Sequence, residues 1–255
     1  MHWVGIGLAT ISVLLLTLIS IASSYFLLKA RNKYKNNVVR DIADLGEISY
    51  GPPMRYFCQF ILVLGQISLL VAYLIYLGEQ SSQIATQLGH KETSTPLCAF
   101  VCIVIMTPAY LQKEYQTLAY FSSVFTACSF VAILIIWTFD CIEIHNAASR
   151  QEVPWFDFTL LPLFLGQTAV LYEGNCSLLN IYAETREPRQ MMQITVQVHV
   201  FLSTAVLITG VLSCYAFGDS ISEIILYDLP EGEAFTVLTQ GFYMLNIMGT
   251  FVMMA

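Results

Sequence analysis

The sequence predicts an all-α fold, a polytopic bundle of membrane-spanning helices with seven spans. The 255 residues are 56% hydrophobic and only 11% charged, with a mean hydropathy of +0.66, whereas about a quarter of the residues in soluble domains are charged. The charged residues also lie between seven apolar segments, with the single exception of Glu173. This pattern disfavours a nucleic-acid-binding protein, a secreted disulfide scaffold and a soluble enzyme, and we expect no enzymatic activity.

Each apolar segment is interpreted as one span because about 20 apolar residues cross a bilayer as a helix. Six segments reach this length, and the third is short and marginal. In chain order the segments are Val4–Leu28, Phe57–Leu77, Leu97–Leu111, Tyr115–Phe139, Phe158–Tyr182, Met191–Phe217 and Ala234–Ala255.

The basic residues predict the orientation of the bundle. Nine of the 11 lie in the connections after spans one, three and five. These nine are Lys29, Arg31, Lys33, Lys35, Arg40, Arg55, Lys113, Arg186 and Arg189. Cytoplasmic loops carry the excess of lysine and arginine, so we expect the N-terminus outside or in a lumen and the C-terminus in the cytoplasm.

The connection 29–56 is expected to lie in the cytoplasm and to contain a short helix at the membrane surface. It opens with a basic cluster, and residues 38–47 are apolar at helical spacing before Gly51-Pro52-Pro53 ends the pattern. An amphipathic helix beside a basic cluster suits anionic headgroups. A solvated loop with chance spacing is the alternative.

The fifth span carries the chemistry, because Glu173 lies within it between Gly166 and Gly174. A carboxylate at membrane depth costs several kcal/mol unless it is protonated, paired or hydrated. Glycine weakens a helix by about 1 kcal/mol relative to alanine. We therefore predict a discontinuous helix whose freed peptide groups bind a ligand. The alternative is a carboxylate that only braces neighbouring helices.

Two further patterns have a functional and a structural interpretation. His199, the only histidine deep in a span, forms a candidate proton relay with Glu173, because imidazole titrates near neutrality. A lone membrane histidine more commonly bonds a neighbouring helix. Cys98 and Cys102 are one helical turn apart, but no third ligand is near, so we predict packing and no metal site.

At these residues the sequence resembles the amino acid/auxin permease family. The fifth span is similar to the broken sixth helix of that family, whose pattern is approximately F-G-x-x-x-x-x-F-E-G. This chain has Leu165-Gly166 followed by Tyr172-Glu173-Gly174. Three further matches follow the family order. They are Asp44–Glu47 with Tyr50–Pro52, Thr107-Pro108 with Leu118–Ser122, and Tyr215–Ile221 with Ile225–Pro230, in which Asp228 replaces the usual asparagine.

The resemblance implies a partial inverted-repeat fold of the amino acid/polyamine/organocation transporter type. Family members have about eleven spans, with substrate held between broken helices one and six. The seven spans match helices two to eight, so we interpret residues 1–255 as one incomplete transporter domain. The resemblance implies substrate contacts at the break. These residues are Gly166, Gln167, Thr168, Ala169, Glu173 and Gly174.

The resemblance also implies amino acid symport driven by H+ or Na+, with no other cofactor. The expected partners are the lipid bilayer, an amino acid substrate and other membrane subunits that cover the missing helices, and no nucleic acid. Plasma, endolysosomal and vacuolar membranes are not distinguished. Because half of the binding crevice is missing, we expect no uptake by the 255-residue chain alone.

Two other function classes remain as alternatives. One is a degenerate permease retained as a structural subunit of a membrane complex. The other is a seven-span receptor, which is disfavoured because Lys113-Glu114-Tyr115 stands where an acidic-Arg-aromatic triplet is usual, and span seven has no proline.

Overall fold

The structure, a computed structural model, describes residues 1, 4–34, 39–87, 94–110, 115–146, 155–185, 187–218, 221–222, 224–230 and 234–254. These residues form α-helices and short 3₁₀ segments, with no strand among them. The helices are α1 Ile6–Lys33, α2 Ile42–Tyr50, α3 Pro52–Gln87, α4 Thr95–Tyr110, α5 Tyr115–Asn146, α6 Leu161–Val170, α7 Leu178–Glu184, α8 Met191–Phe217 and α9 Ala234–Met254.

Within the described residues, four helical stretches are long and apolar enough to cross a membrane. They are Ile6–Lys33, Pro52–Gln87, Ser122–Asn146 and Pro188–Phe217. Shorter apolar helices lie at Thr95–Thr107 and Leu161–Val170. The all-α membrane fold is thus confirmed, whereas the number of seven spans and the orientation stay predictions.

The boundaries differ from prediction mainly around α3. This helix runs from Pro52 to Gln87, whereas the apolar pattern predicts a span over 57–77. Proline suits the first turn of a helix because its missing N–H has no intrahelical partner there. The predicted loop 29–56 therefore contains the end of α1, all of α2 and the first turn of α3.

The chain divides into two compact units, and the interpretation of 1–255 as one domain stays a prediction. Unit 1 comprises Met1–Val63 and Ala148–Ser220, and unit 2 comprises Leu64–Ala147 and Ile221–Ala255. In unit 1, α1 packs along α8 and also contacts α6 and α7. In unit 2, α9 packs against α5 and α4.

A buried apolar cluster in unit 1 fixes the short helix α7. Its members, which we call the α7 cluster, are Leu28, Val39, Leu178, Leu179 and Met191. They come from α1, the residues before α2, α7 itself and the first residue of α8. A seven-residue helix is too short to be stable alone, so this packing is what holds α7 in place.

Polar contacts at the end of α7 support the same docking. The guanidinium of Arg31 lies 4.1 Å from the ring centroid of Tyr182. The Tyr182 hydroxyl donates to the Asn32 side chain at 3.0 Å, and Arg31 Nε donates to the Val39 carbonyl at 3.2 Å. A cation over an aromatic face is attracted by the ring quadrupole. The carboxyl-terminal part of α7 is thus tied to the end of α1 through Tyr182.

The connection contains a helix, α2, and its position at the membrane surface stays a prediction. Asp41 precedes it in an extended conformation, and its carboxylate accepts a hydrogen bond from Asp44 N–H at 2.6 Å. Arg55 on α3 contacts Glu47 at 2.6 Å and Asp44 at 3.5 Å. The helix ends at Gly51, whose φ of +86° favours glycine. The predicted helical residue Val38 lies outside the described residues.

Replacing Asp41 with Ala is expected to lower the helical stability of α2 by about 1 kcal/mol, because the N-terminal amides lose their capping acceptor. Asn is the matched control, since its side-chain oxygen caps a helix as well as Asp does. Hydrogen exchange of the α2 amides measures the effect. Equal exchange rates in Asp41→Ala and Asp41→Asn would show that the cap contributes nothing.

Candidate functional site

The predicted discontinuity in the fifth apolar segment is present in the structure. Helix α6 ends at Val170, a 3₁₀ segment covers Glu173–Ser177, and α7 starts at Leu178. We call residues 171–177 the break. Its backbone bonds span three residues: the N–H of Tyr172 donates to the Ala169 carbonyl at 3.1 Å, and that of Asn175 to the Tyr172 carbonyl at 3.3 Å. Such 3₁₀ bonds have poorer geometry than α-helical ones and are used in short pieces.

The residues before α6 are anchored to the beginning of α1. The amides of Gly7 and Leu8 donate to the Trp155 carbonyl at 3.1 and 3.2 Å, and the amide of Asp157 donates to the Val4 carbonyl at 2.8 Å. The N–H and hydroxyl of Thr159 both donate to the Asp157 carboxylate. These bonds lower the pKa of Asp157 from its ordinary value. Their stabilising effect is present above the ordinary pKa and is lost as the pH falls through the lowered one.

The predicted substrate-binding residues lie on both sides of the break. Thr168 is buried and Glu173 is half-buried, and the other four are exposed. The exposed ones are Gly166, Gln167, Ala169 and Gly174. The hydroxyl of Thr168 donates to the Phe164 carbonyl at 2.7 Å, so its lone pairs remain available as acceptors.

Close packing between helices does not require a glycine at Gly166 or at Gly174. A Cβ atom placed on Gly166 or on Gly174 would have no described heavy atom within 4 Å. Elsewhere in the chain glycines do mark close contacts, as at Gly78. Glycine leaves the peptide groups more accessible than any other residue does. The open surroundings of both glycines are therefore compatible with a ligand approaching the backbone here.

A buried network of polar side chains ties the break to α1. Asn175 Nδ2 donates to Ser20 Oγ at 2.6 Å, and Ser24 Oγ donates to Asn175 Oδ1 at 2.9 Å. The Tyr172 hydroxyl lies 2.7 Å from Thr17 Oγ1. Because Thr17 Oγ1 already donates to the Val13 carbonyl at 2.7 Å, the Tyr172 hydroxyl is the donor. Both break residues thus bond to one face of α1.

His199 on α8 completes this network. Its Nε2 lies 2.8 Å from Ser20 Oγ and its Nδ1 lies 2.7 Å from the Thr195 carbonyl oxygen. Its ring also stacks on Tyr172, with centroids 5.6 Å apart and planes 10° apart. The sequence-based alternative of a hydrogen bond to a neighbouring helix is therefore observed. The relay with Glu173 stays a prediction: the structure places His199 against Tyr172, the residue before Glu173.

Sequence reasoning missed most of this network. It did not select the partners on α1 or Asn175. The sequence did contain a signal, since Thr17, Ser20 and Ser24 have the 3-and-4 spacing of one helix face. In the structure all three are buried. A polar stripe on an otherwise apolar span indicates a face directed at other helices and not at lipid.

A family model described as "Transmembrane amino acid transporter protein" matches residues 1–255. The chain is similar to Vacuolar amino acid transporter 3 of Schizosaccharomyces pombe, with 25% identity over 244 residues. This match covers 95% of the chain and 37% of the relative.

Two further relatives have similar names. Vacuolar amino acid transporter 3 of Saccharomyces cerevisiae is 22% identical, over 97% of this chain and 36% of the relative. Amino acid transporter AVT3B of Arabidopsis thaliana is 22% identical, over 94% of this chain and 61% of the relative. The chain thus spans between about a third and three fifths of the length of these relatives. No solved structure matches it.

Proposed function

Because this chain belongs to the transmembrane amino acid transporter family, we propose that it transports amino acids across a membrane, with the substrate bound at the break. Membership of this family supports a role as a membrane transporter protein and not as an enzyme. The observation that carries the proposal is the interruption of an apolar helical segment at Glu173. Discontinuous helices form the substrate and ion sites of many secondary transporters.

The chemistry of the break suits the ammonium end of an amino acid. The carboxyl end of α6 at Val170 carries the partial negative charge of the helix dipole. Glu173 follows three residues later and supplies a carboxylate. A substrate ammonium group donates up to three hydrogen bonds, and bonds that involve charged groups are about twice as strong as neutral ones.

The side chains near Glu173 divide into polar ones that can bond a substrate and small ones that leave room for it. Gly166, Gln167 and Ala169 are exposed on α6, and only Gln167 among them has a polar side chain. We propose that Gln167, Thr168 and Glu173 bond the polar groups of the substrate. Gly166, Ala169 and Gly174 would then leave room for the substrate and expose the backbone.

Coupling to an ion is the second part of the proposal. Glu173 is the only charged residue in the apolar segments, so it is the residue whose protonation a proton gradient would change. Carbonyl oxygens freed at a helix break also suit Na+. We propose symport with H+ or Na+. The names of two relatives support a vacuolar or endolysosomal membrane.

The purified 255-residue chain in lipid nanodiscs is expected to bind labelled amino acids saturably. Glu173→Gln is expected to weaken binding by about tenfold, because a hydrogen bond to a charged group contributes roughly 1.5–3 kcal/mol. Scintillation proximity binding measures this directly. Binding is the first measurement because it needs only the half of the crevice that this chain carries, whereas net uptake needs the complete transport cycle.

Glu187→Gln is the matched control, because Glu187 is exposed and its carboxylate bonds to the neighbouring Gln190. Its affinity should equal that of the unmodified chain. Affinity that changes with neither pH nor Na+ would contradict ion coupling. A folded chain that binds none of the 20 amino acids would contradict transport and favour the structural-subunit alternative.

A further inference from the structure

The donor and the acceptor in each hydrogen bond around Asn175 follow from the hydrogen bonds of His199. A carbonyl oxygen only accepts, so the 2.7 Å contact between His199 Nδ1 and the Thr195 carbonyl places a proton on Nδ1. In the neutral ring Nε2 then accepts, and Ser20 Oγ is its donor at 2.8 Å. The single hydroxyl proton of Ser20 is thereby used.

The side-chain amide of Asn175 is oriented by this arrangement. Because Ser20 Oγ donates to His199, it bonds to Asn175 only as an acceptor, and Asn175 Nδ2 approaches it at 2.6 Å. Nδ2 also lies 3.3 Å from the Ser20 carbonyl oxygen. The opposite amide atom, Oδ1, faces the hydroxyl of Ser24 at 2.9 Å, and it shares the single proton of that hydroxyl with the Ser20 carbonyl oxygen at 3.0 Å. Each polar atom of Asn175 thus meets a group of the complementary kind.

The break depends on such contacts because its own backbone holds it weakly. It has 3₁₀ bonds in place of α-helical ones, and its residues Glu173, Gly174 and Cys176 are not buried. The neighbouring α7 is only seven residues long. Side-chain bonds to α1 therefore add a restraint on where the Glu173 backbone lies.

We propose that Asn175 is the positioning residue of the break, and that its hydrogen-bonded chain through Ser20 to His199 holds the amino acid site in its binding geometry. Asn175 acts on the substrate through the backbone of the break and not by contact. The inference rests on the proposed function only for the identity of the ligand. The restraint itself is a property of the hydrogen bonds and is measurable without any ligand.

The first measurement is hydrogen exchange of the amides in residues 171–177, with the 255-residue chain in nanodiscs. Asn175→Ala and Ser20→Ala should each raise the exchange rate about tenfold, since each removes bonds that restrain the break. The double variant should exchange no faster than the faster single variant, because groups in one network are not additive. The amides of α9 should be unaffected.

Conservative variants separate positioning from a general loss of stability. Ser20→Thr keeps the hydroxyl and should keep slow exchange. His199→Phe keeps a ring against Tyr172 but removes the acceptor of the Ser20 proton. Ser20 Oγ can still accept from Asn175 but is no longer oriented, so exchange should lie between that of the unmodified chain and that of Ser20→Ala. Ser68→Ala is the matched control, because the Ser68 hydroxyl is exposed and donates to the Leu64 carbonyl of its own helix. That variant should leave the break unchanged.

The second measurement is amino acid affinity of the same samples. Asn175→Ala should weaken binding about tenfold at an unchanged melting temperature. Unchanged exchange of residues 171–177 in both Asn175→Ala and Ser20→Ala would overturn the positioning role. Faster exchange in these variants, with no amino acid bound by the unmodified chain, would support the restraint and contradict the proposed function alone.

Discussion

Replacing Leu179 with Ala is expected to lower the free energy of unfolding by about 3 kcal/mol. Leu179 is 0% exposed and lies at the centre of the α7 cluster. Removing three side-chain carbons loses their transfer free energy and leaves a cavity that the surrounding α1 and α8 residues fill only partly. Reversible unfolding in mixed detergent micelles gives the free energy. Amino acid affinity should fall as well, because α7 borders the break.

The same helix provides the control for this prediction. Ile181 is 52% exposed, and it is similar in size to Leu179. Its replacement by Ala should change the free energy of unfolding by no more than roughly 0.5 kcal/mol, the range for exposed positions. Equal losses in the two variants would show that α7 is held by something other than the α7 cluster.

Replacing Gly78 with Leu is expected to destabilise unit 2 by about 3 kcal/mol. A Cβ atom on Gly78 would lie 2.9 Å from the Thr95 carbonyl oxygen and 3.1 Å from the Ala99 Cβ. The first of these is a backbone atom of α4, so a side-chain rotation does not relieve the clash. Small residues at such contacts let two membrane helices approach closely. Unfolding in mixed micelles and the yield of monodisperse protein measure the effect.

Gly65 on the same helix is the matched control. A Cβ atom there would have no described heavy atom within 4 Å. Gly65→Leu should be neutral or stabilising by up to about 1 kcal/mol, because leucine has the higher helix propensity. If both variants unfold alike, the close contact between α3 and α4 does not contribute to stability.

The positions of the helices were largely predictable because lipid imposes a strict condition on sequence. A span must be apolar for about 20 residues, and this condition is visible without knowing any neighbour. The sixth predicted span and helix α8 share the boundaries Met191 and Phe217. The greater length of α3 has a local cause, since polar residues such as Glu79 and Gln80 continue a helix beyond the apolar segment without changing its geometry.

The break was predictable for a similar reason. Glu173 and Gly174 lower the stability of a membrane helix through their own properties, namely the cost of a carboxylate in lipid and the flexibility of glycine. The ending of α6 at Val170 and the 3₁₀ segment from Glu173 agree with this prediction. What the break binds does not follow from these properties, because they act on the helix and not on a ligand.

The partners of the break were not predictable. Ser20 and His199 are separated by 179 positions in the chain, and Ser24 and Asn175 by 151. Apolar spans resemble one another in composition, so their sequences do not state which helices are neighbours or how each is rotated. A serine on a span therefore has no evident role until its partner is known.

Membrane helices with an interrupted fifth span follow from the sequence, because hydropathy and helix propensity are properties of consecutive residues. That α1 and α8 hold this interruption through Ser20, Asn175 and His199 follows only from how the helices pack. A hydrogen bond needs donor and acceptor atoms within about 3 Å, and the packing of distant segments alone brings these atoms to that distance.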